Sequence, residues 1–408
     1  MGIWRPASNF NRRFMMDYIK LAQKYNDRVV ELRRDIHMHP ELSLEEFRTA
    51  ELVAKELRAL GMEVHTGVGK TGVVGLLRGA KEGRTIALRA DMDALPIQEE
   101  NDLPFKSVYP GKMHACGHDV HTAVLLGAAM ALTEIKDQLN GTVKLIFQPA
   151  EENAPNGGAK QMITEGVLED PKVDAIVGLH ILPFVKSGVI SLKKGELLAS
   201  ADQFEIRITG RGCHAASPHL GVDAVTVGAH LVTALQSVVS RMTDPMEPAV
   251  LNVGVLEAGG RENVLAQSAV LKGTCRVFNP KTRENLKARM QQVMEGVCAA
   301  FGATGEFLYT YGYPPLLSDP ELTQFCSDAA TELFGPDGVV VKPKPAMGGE
   351  DFAYYTEVIP GAFISLGTGR AEGPNAPMHS PRLMVEEGSF VNGVSFMTKV
   401  AVDYLNRP

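Results

Sequence analysis

Three apolar runs, Thr85-Ile-Ala-Leu-Arg-Ala-Asp91, Thr142-Val-Lys-Leu-Ile-Phe-Gln-Pro-Ala150 and Asp174-Ala-Ile-Val-Gly-Leu179, are separated by stretches with helical spacing, Thr122 to Ile135 and Gly157 to Gly166. Runs this apolar have no face to turn to water. They fit strands buried on both sides, and their alternation with helices predicts an α/β fold with a mostly parallel sheet covered by helices. Each run also ends in residues suited to chemistry: Asp91 and Asp93, then Glu151 and Glu152, then His180. In open α/β sheets the loops at the carboxyl ends of the strands form the functional crevice.

The segment His114-Ala-Cys116-Gly-His118-Asp-Val-His121 places one thiol and three imidazoles in eight residues, directly before an apolar helical run. Any one of them alone would be read as a buried thiol or a solvated histidine. Together, on a turn, Cys116 and His118 can hold one or two divalent metals. His379, in the loop Asn375-Ala-Pro-Met-His-Ser-Pro381, adds a further imidazole. His37 and His39 precede Pro40, which should end the first helix, and read as a helix-end and turn pair.

At 408 residues the chain is long enough for two domains, and 45% hydrophobic with 22% charged residues is an ordinary globular composition. The net charge of −7 offers no electrostatic footprint for nucleic acid or an anionic membrane, so neither partner is expected. Met1 to Lys20 mixes charges among isolated apolar residues and reads as neither signal core nor membrane span, which makes a cytoplasmic location the expectation. Five widely spaced cysteines, an odd number, fit reduced thiols better than a disulfide framework.

After about Leu192 the pattern changes. Asp202 to Gly210 alternates as a half-exposed strand does. Helical spacing follows over Val222 to Met242, then strands over Ala249 to Leu256 and Ala269 to Phe278, a helix over Pro280 to Phe301, and a strand over Glu306 to Tyr311. The order β-α-β-β-α-β predicts a ferredoxin-like unit whose sheet has one uncovered face. Residues 195–310 therefore read as an inserted lid or dimerisation domain, and 1–194 with 311–408 as a discontinuous metal-binding catalytic domain. An uncovered face needs a partner, which points to a homodimer or higher homo-oligomer.

Met113-His-Ala-Cys-Gly-His-Asp-Val-His121, Phe147-Gln-Pro-Ala-Glu-Glu152, Gly178-Leu-His180, Gly210-Arg-Gly-Cys-His-Ala-Ala-Ser-Pro-His219, Gly348-Gly-Glu-Asp-Phe352 and Met378-His-Ser-Pro381 together resemble the amidohydrolase branch of the metal-dependent exopeptidases. That branch includes hippurate hydrolases, N-acyl-amino-acid amidohydrolases and plant auxin-conjugate hydrolases. The resemblance runs from about residue 27 to the C-terminus and implies two divalent metal ions, with Zn, Mn, Co or Ni all compatible with the donors. It implies Cys116 as the bridging thiolate, His118, Glu152, His180 and His379 as further ligands, and Glu151 as general base. His214 would reach the neighbouring subunit's site and hold the oxyanion, while Asn263 and Arg276 would bind the substrate carboxylate. An arginine fork suits that carboxylate, although Arg276 in a strand also fits a surface pair.

The chain departs from more distant exopeptidases, which have His-x-Asp where Arg89-Ala-Asp91 stands and an aspartate where Cys116 stands. Asp91 and Asp93 fit either support of ligands or bracing of the loop, and Glu350 and Asp351 are similarly open. The activity implied is hydrolysis of the amide bond of an N-acyl amino acid, hippurate-like or N-acetylated. A carboxypeptidase or dipeptidase with the same centre is the alternative, followed by a metal-binding protein without catalysis.

Overall fold

The computed structural model describes residues 16–407. The expectation for Met1 to Lys20 falls, over positions 1–15, outside the described residues. Among the described residues no helix is long and apolar enough to cross a membrane.

Eight strands form the large sheet in the order Glu63–Val68, Gly72–Arg78, Asn140–Gln148, Lys81–Asp91, Ala175–Lys186, Gly361–Gly369, Ile190–Leu192, Val339–Val341. The central four run parallel, so their carboxyl ends share one edge. Three of the flanking pairs are antiparallel, a departure from the simpler pattern read in the sequence. Alternate residues divide between two cores. Ile86, Leu88, Val143, Leu145 and Val177 enter one, and Ala87, Ile146, Ile176 and Phe363 enter the other. Burying each such large aliphatic side chain contributes roughly 1.5–3 kcal/mol.

Helices Tyr18–Met38, His118–Glu134 and Phe390–Leu405 supply residues to the first core. The first starts on Asp17, whose carboxylate accepts the Lys20 N–H at 2.9 Å, and ends just before Pro40. Helix His118–Glu134 is apolar on all sides and almost wholly buried, as its composition requires. Its N-cap, Gly117, has φ 95°, and a Cβ there would lie 2.3 Å from Ile181 Cδ1. Only glycine fits. That turn sets Cys116 and His118 at the edge where the parallel strands end.

A second sheet has the order Thr304–Thr310, Asp202–Thr209, Ser268–Val277, Ala249–Ala258, with all neighbours antiparallel. Helices Ala224–Met242 and Pro280–Phe301 cover one face and share with it a separate core that includes Phe204, Ile206, Leu231 and Met290. The chain order β-α-β-β-α-β is the one read in the sequence. Entry and exit lie side by side: Gly195–Leu198 pairs with Leu316–Ser318, and the Ala201 N–H donates to the Tyr313 carbonyl at 3.0 Å.

Candidate metal centre

Cys116 belongs to two groups of potential ligands, Cys116 with His118 and His180, and Cys116 with Glu152 and His379; within each group the ligand atoms lie within 4.8 Å of one another. His118, Glu151 and Glu152 form a third such group. The structure thus brings together Cys116, Glu151, Glu152 and His379 from three loops, His118 from the start of a helix and His180 from within the strand Ala175–Lys186.

Hydrogen bonds decide which ring nitrogens are free. His118 Nδ1 lies 3.1 Å from Asp93 Oδ1, and its buried Nε2 has no hydrogen-bond partner among the described residues. His180 Nδ1 lies 2.8 Å from the Ile181 carbonyl, leaving Nε2 to face Cys116 Sγ at 3.5 Å. A ring whose Nδ1–H is donated to a carboxylate or carbonyl presents a lone pair on Nε2, the usual arrangement of a metal-ligating histidine. His121 is different. Its Nδ1 meets Asp91 Oδ1 at 2.5 Å and its Nε2 accepts the Ile181 N–H at 2.8 Å, so both nitrogens are used. We read it as a strut, although Asp91, His118 and His121 are also clustered closely enough for a cation.

His379 Nε2 stands 3.1 Å from Glu152 Oε1. Cys116 first and Glu152 second push this imidazole up to about 10, so a proton is held between donors that a cation would also satisfy. Burial pushes the Cys116 thiol up, opposed by His118. The donor set of thiol, imidazoles and carboxylates, with an orphaned buried Nε2, fits a pair of divalent cations.

Asp93 ties the site together. Its carboxylate accepts the N–H groups of Glu151 at 3.1 Å and Glu152 at 3.0 Å and the Ser43 hydroxyl at 2.6 Å, besides facing His118. Asp91 likewise positions His121. Glu350 and Asp351 bind Arg89 instead, at 3.0 and 2.9 Å, and that wholly buried guanidinium also meets Asp91 and the Gln148 amide oxygen. Burial, then the charges of Glu350, Glu152 and Asp351, raise Glu151 well above the usual carboxylate range. Such a carboxyl is a strong proton acceptor once ionised.

The cluster opens into a cavity of about 570 Å³. Arg276 lines it, as do Tyr313 and Lys342, neither of which the sequence reading singled out. Tyr313 donates its hydroxyl to the Glu151 carbonyl oxygen. His214 and Asn263 do not line this cavity. They lie together on the smaller sheet's loops, both exposed, with the Ala215 N–H bonded to the Asn263 carbonyl at 3.1 Å. His214 Nδ1 accepts the Ala216 N–H at 3.0 Å, which leaves an Nε2–H free to donate. Among the described residues His37 and His39 join no ligand group. His37 is buried between Asp119 at 2.7 Å and Glu99 at 3.2 Å, a deeper role than a helix end, and His39 meets the Asp35 carbonyl at 2.8 Å.

Residues 87–403 match the family model described as peptidase family M20/M25/M40. The chain is 41% identical over 373 residues to the N-acetyl-L-cysteine deacetylase of Bacillus subtilis, covering 91% of this chain and 87% of that protein. It is 38% identical over 389 residues to thermostable carboxypeptidase 1 of Saccharolobus solfataricus, covering 95% and 98%. Among solved structures, the Bacillus subtilis YXEP protein, described as a dinuclear metal binding peptidase from the M20 family, matches with a TM-score of 0.82 at 36% identity over 94% of this chain and 99% of that one.

Proposed function

The chain belongs to peptidase family M20/M25/M40, a family of metal-dependent amide and peptide hydrolases, and on that premise we propose that it hydrolyses N-acyl amino acids to the free acid and the amino acid. The observation that carries this reading is the sharing of Cys116 between two ligand groups with Glu151 beside them. In this reading Cys116, His118, Glu152, His180 and His379 would hold two cations, Cys116 being the residue common to both ligand groups. When bound, the cations supply Lewis-acid polarisation of the scissile carbonyl and lower the pKa of water toward ~7. Glu151 takes the proton from the attacking water and delivers it to the leaving nitrogen.

Arg276 suits the amino acid's carboxylate, which its fork can hold by two charge-assisted bonds. Asn263 would assist, and His214 would hold the oxyanion. Because neither lines the cavity of its own chain, both roles call for a second subunit, which supports a homodimer whose inserted unit is residues 195–310 and whose catalytic unit is 1–194 with 311–408. Five free cysteines accord with a cytoplasmic setting. The 38% identity to a protein named a carboxypeptidase supports a second reading, cleavage of peptides at the same centre. Against a free-amine substrate, of the three glutamates lining the cavity Glu151 and Glu152 belong to the proposed centre and Glu350 is tied to Arg89. Assaying a panel of N-acyl amino acids and dipeptides after reconstitution with Zn, Mn, Co and Ni tests the proposal. Turnover of dipeptides alone would replace it.

A further inference from the structure

We infer that Lys342 selects substrates whose acyl group carries a second carboxylate, N-dicarboxyl amino acids of the N-succinyl or N-glutaryl type. The inference rests on the proposed hydrolysis of N-acyl amino acids and adds the class of acyl group.

Lys342 follows the edge strand Val339–Val341 and is pinned by its backbone N–H to the Leu192 carbonyl at 2.8 Å. Its side chain lines the same cavity as Cys116, Glu152 and Arg276. The ammonium donates to Ser365 Oγ at 2.8 Å, and Ser365 lies in register with His180 on the adjacent parallel strand. Lys342 therefore stands on the wall that carries His180. Arg276 belongs to another wall, where a Cβ on Gly349 would lie 3.4 Å from its Nη1 and 3.7 Å from Tyr313.

An ammonium has three donors, and the contact with Ser365 uses one, on a neutral acceptor. Among the described residues Lys342 has no carboxylate partner, and burial alone lowers it to about 8, so at neutral pH it remains a largely desolvated cation. Leu182, Leu198, Phe363 and Met378 make much of the remaining lining apolar. A cation held without a counter-ion in such a cavity is stabilised by an anion that arrives with the ligand. With the α-carboxylate assigned to Arg276, the group left to meet Lys342 lies on the other side of the scissile bond, on the acyl chain.

The test compares kcat/KM of the metal-loaded enzyme for N-succinyl-L-alanine, N-acetyl-L-alanine and N-acetyl-L-glutamate, in the wild type, Lys342→Gln and Lys342→Arg. The wild type should prefer the succinyl substrate over N-acetyl-L-alanine by about tenfold or more, as charge-assisted hydrogen bonds typically give. Lys342→Gln, whose amide can still donate to Ser365, should lose that preference chiefly through a higher KM for the succinyl substrate, and Lys342→Arg should keep it. The inference is overturned by a wild type without the preference, by one favouring only the glutamate substrate, or by a Gln variant that slows all substrates equally. The wild-type comparison stands even if a variant folds poorly. Turnover of none of the three substrates, with dipeptides cleaved, would instead remove the parent reading.

Discussion

His180 offers Cys116 the one ring nitrogen its own backbone leaves free: Nδ1 is engaged by the Ile181 carbonyl at 2.8 Å, and Nε2 faces Sγ at 3.5 Å. Burial and the neighbouring His121 hold this imidazole neutral, well below its ordinary range. A neutral imidazole aimed at a buried thiol does little for a core, but it is the donor a cation requires.

Asp93 should matter to the metals without touching them. It orients His118 and accepts the backbone N–H groups of both Glu151 and Glu152. Asp93→Asn should weaken metal affinity roughly 10–100-fold, the range seen when such supporting partners are removed. Titration with a competing chelator measures it. Unchanged affinity would mean that Asp93 only braces the loop.

If Cys116 bridges two cations, they hold its thiolate against electrophiles. The native protein should resist alkylation at Cys116, and chelation should expose it, because the thiol lines the open cavity. Mass-spectrometric labelling before and after chelation decides the point. Equal labelling in both states would make Cys116 a bystander.

Much of this architecture is legible in the chain, for identifiable reasons. The helix Pro280–Phe301 is bounded by a capping asparagine, a proline in its first turn and a closing glycine, and its observed limits coincide with those read from the residues. Ile190–Leu192 and Val339–Val341 are three-residue strands that exist only through their neighbours, so no periodicity could announce them. Glu151 and Glu152 were visible because they follow the end of an apolar strand, whereas His180, read as closing a run, sits within a strand that continues to Lys186. Tyr313 was not visible, since its hydroxyl acts on a carbonyl 162 positions away. Likewise, nothing local showed that Asp91 and Asp93 would orient His121 and His118.

Glu46 provides a pH signature. Its buried carboxyl accepts the Ala150 N–H at 2.8 Å and the Thr71 hydroxyl at 2.5 Å, and burial, then the charge of Asp93, raise it from 4.5 to about 7. Between those values the folded chain binds a proton that the unfolded chain has released. Stability therefore falls as pH rises through this window, by about 3 kcal/mol. Denaturant titration of the chelated protein at pH 5 and pH 7.5 should show a smaller fall for Glu46→Gln than for the wild type. Identical falls would remove Glu46 as the source.

The proposed trans role of His214 predicts complementation. His214→Ala and Glu151→Gln proteins should each be nearly inactive, yet their mixture after subunit exchange should recover roughly a quarter of wild-type activity. Random pairing makes about half the dimers mixed, and each mixed dimer has one site with both groups intact. If exchange is verified and activity stays at the level of the parents, His214 does not act across the interface.

The division of labour between Glu151 and Glu152 is the centre of the account. It is tested most directly by measuring activity and bound metal on one preparation of Glu151→Gln. As the group that moves the proton, Glu151 should cost at least ~10²-fold in kcat when replaced, with the metal content of the wild type retained. Loss of metal together with activity would make Glu151 a ligand and contradict its assignment as the base.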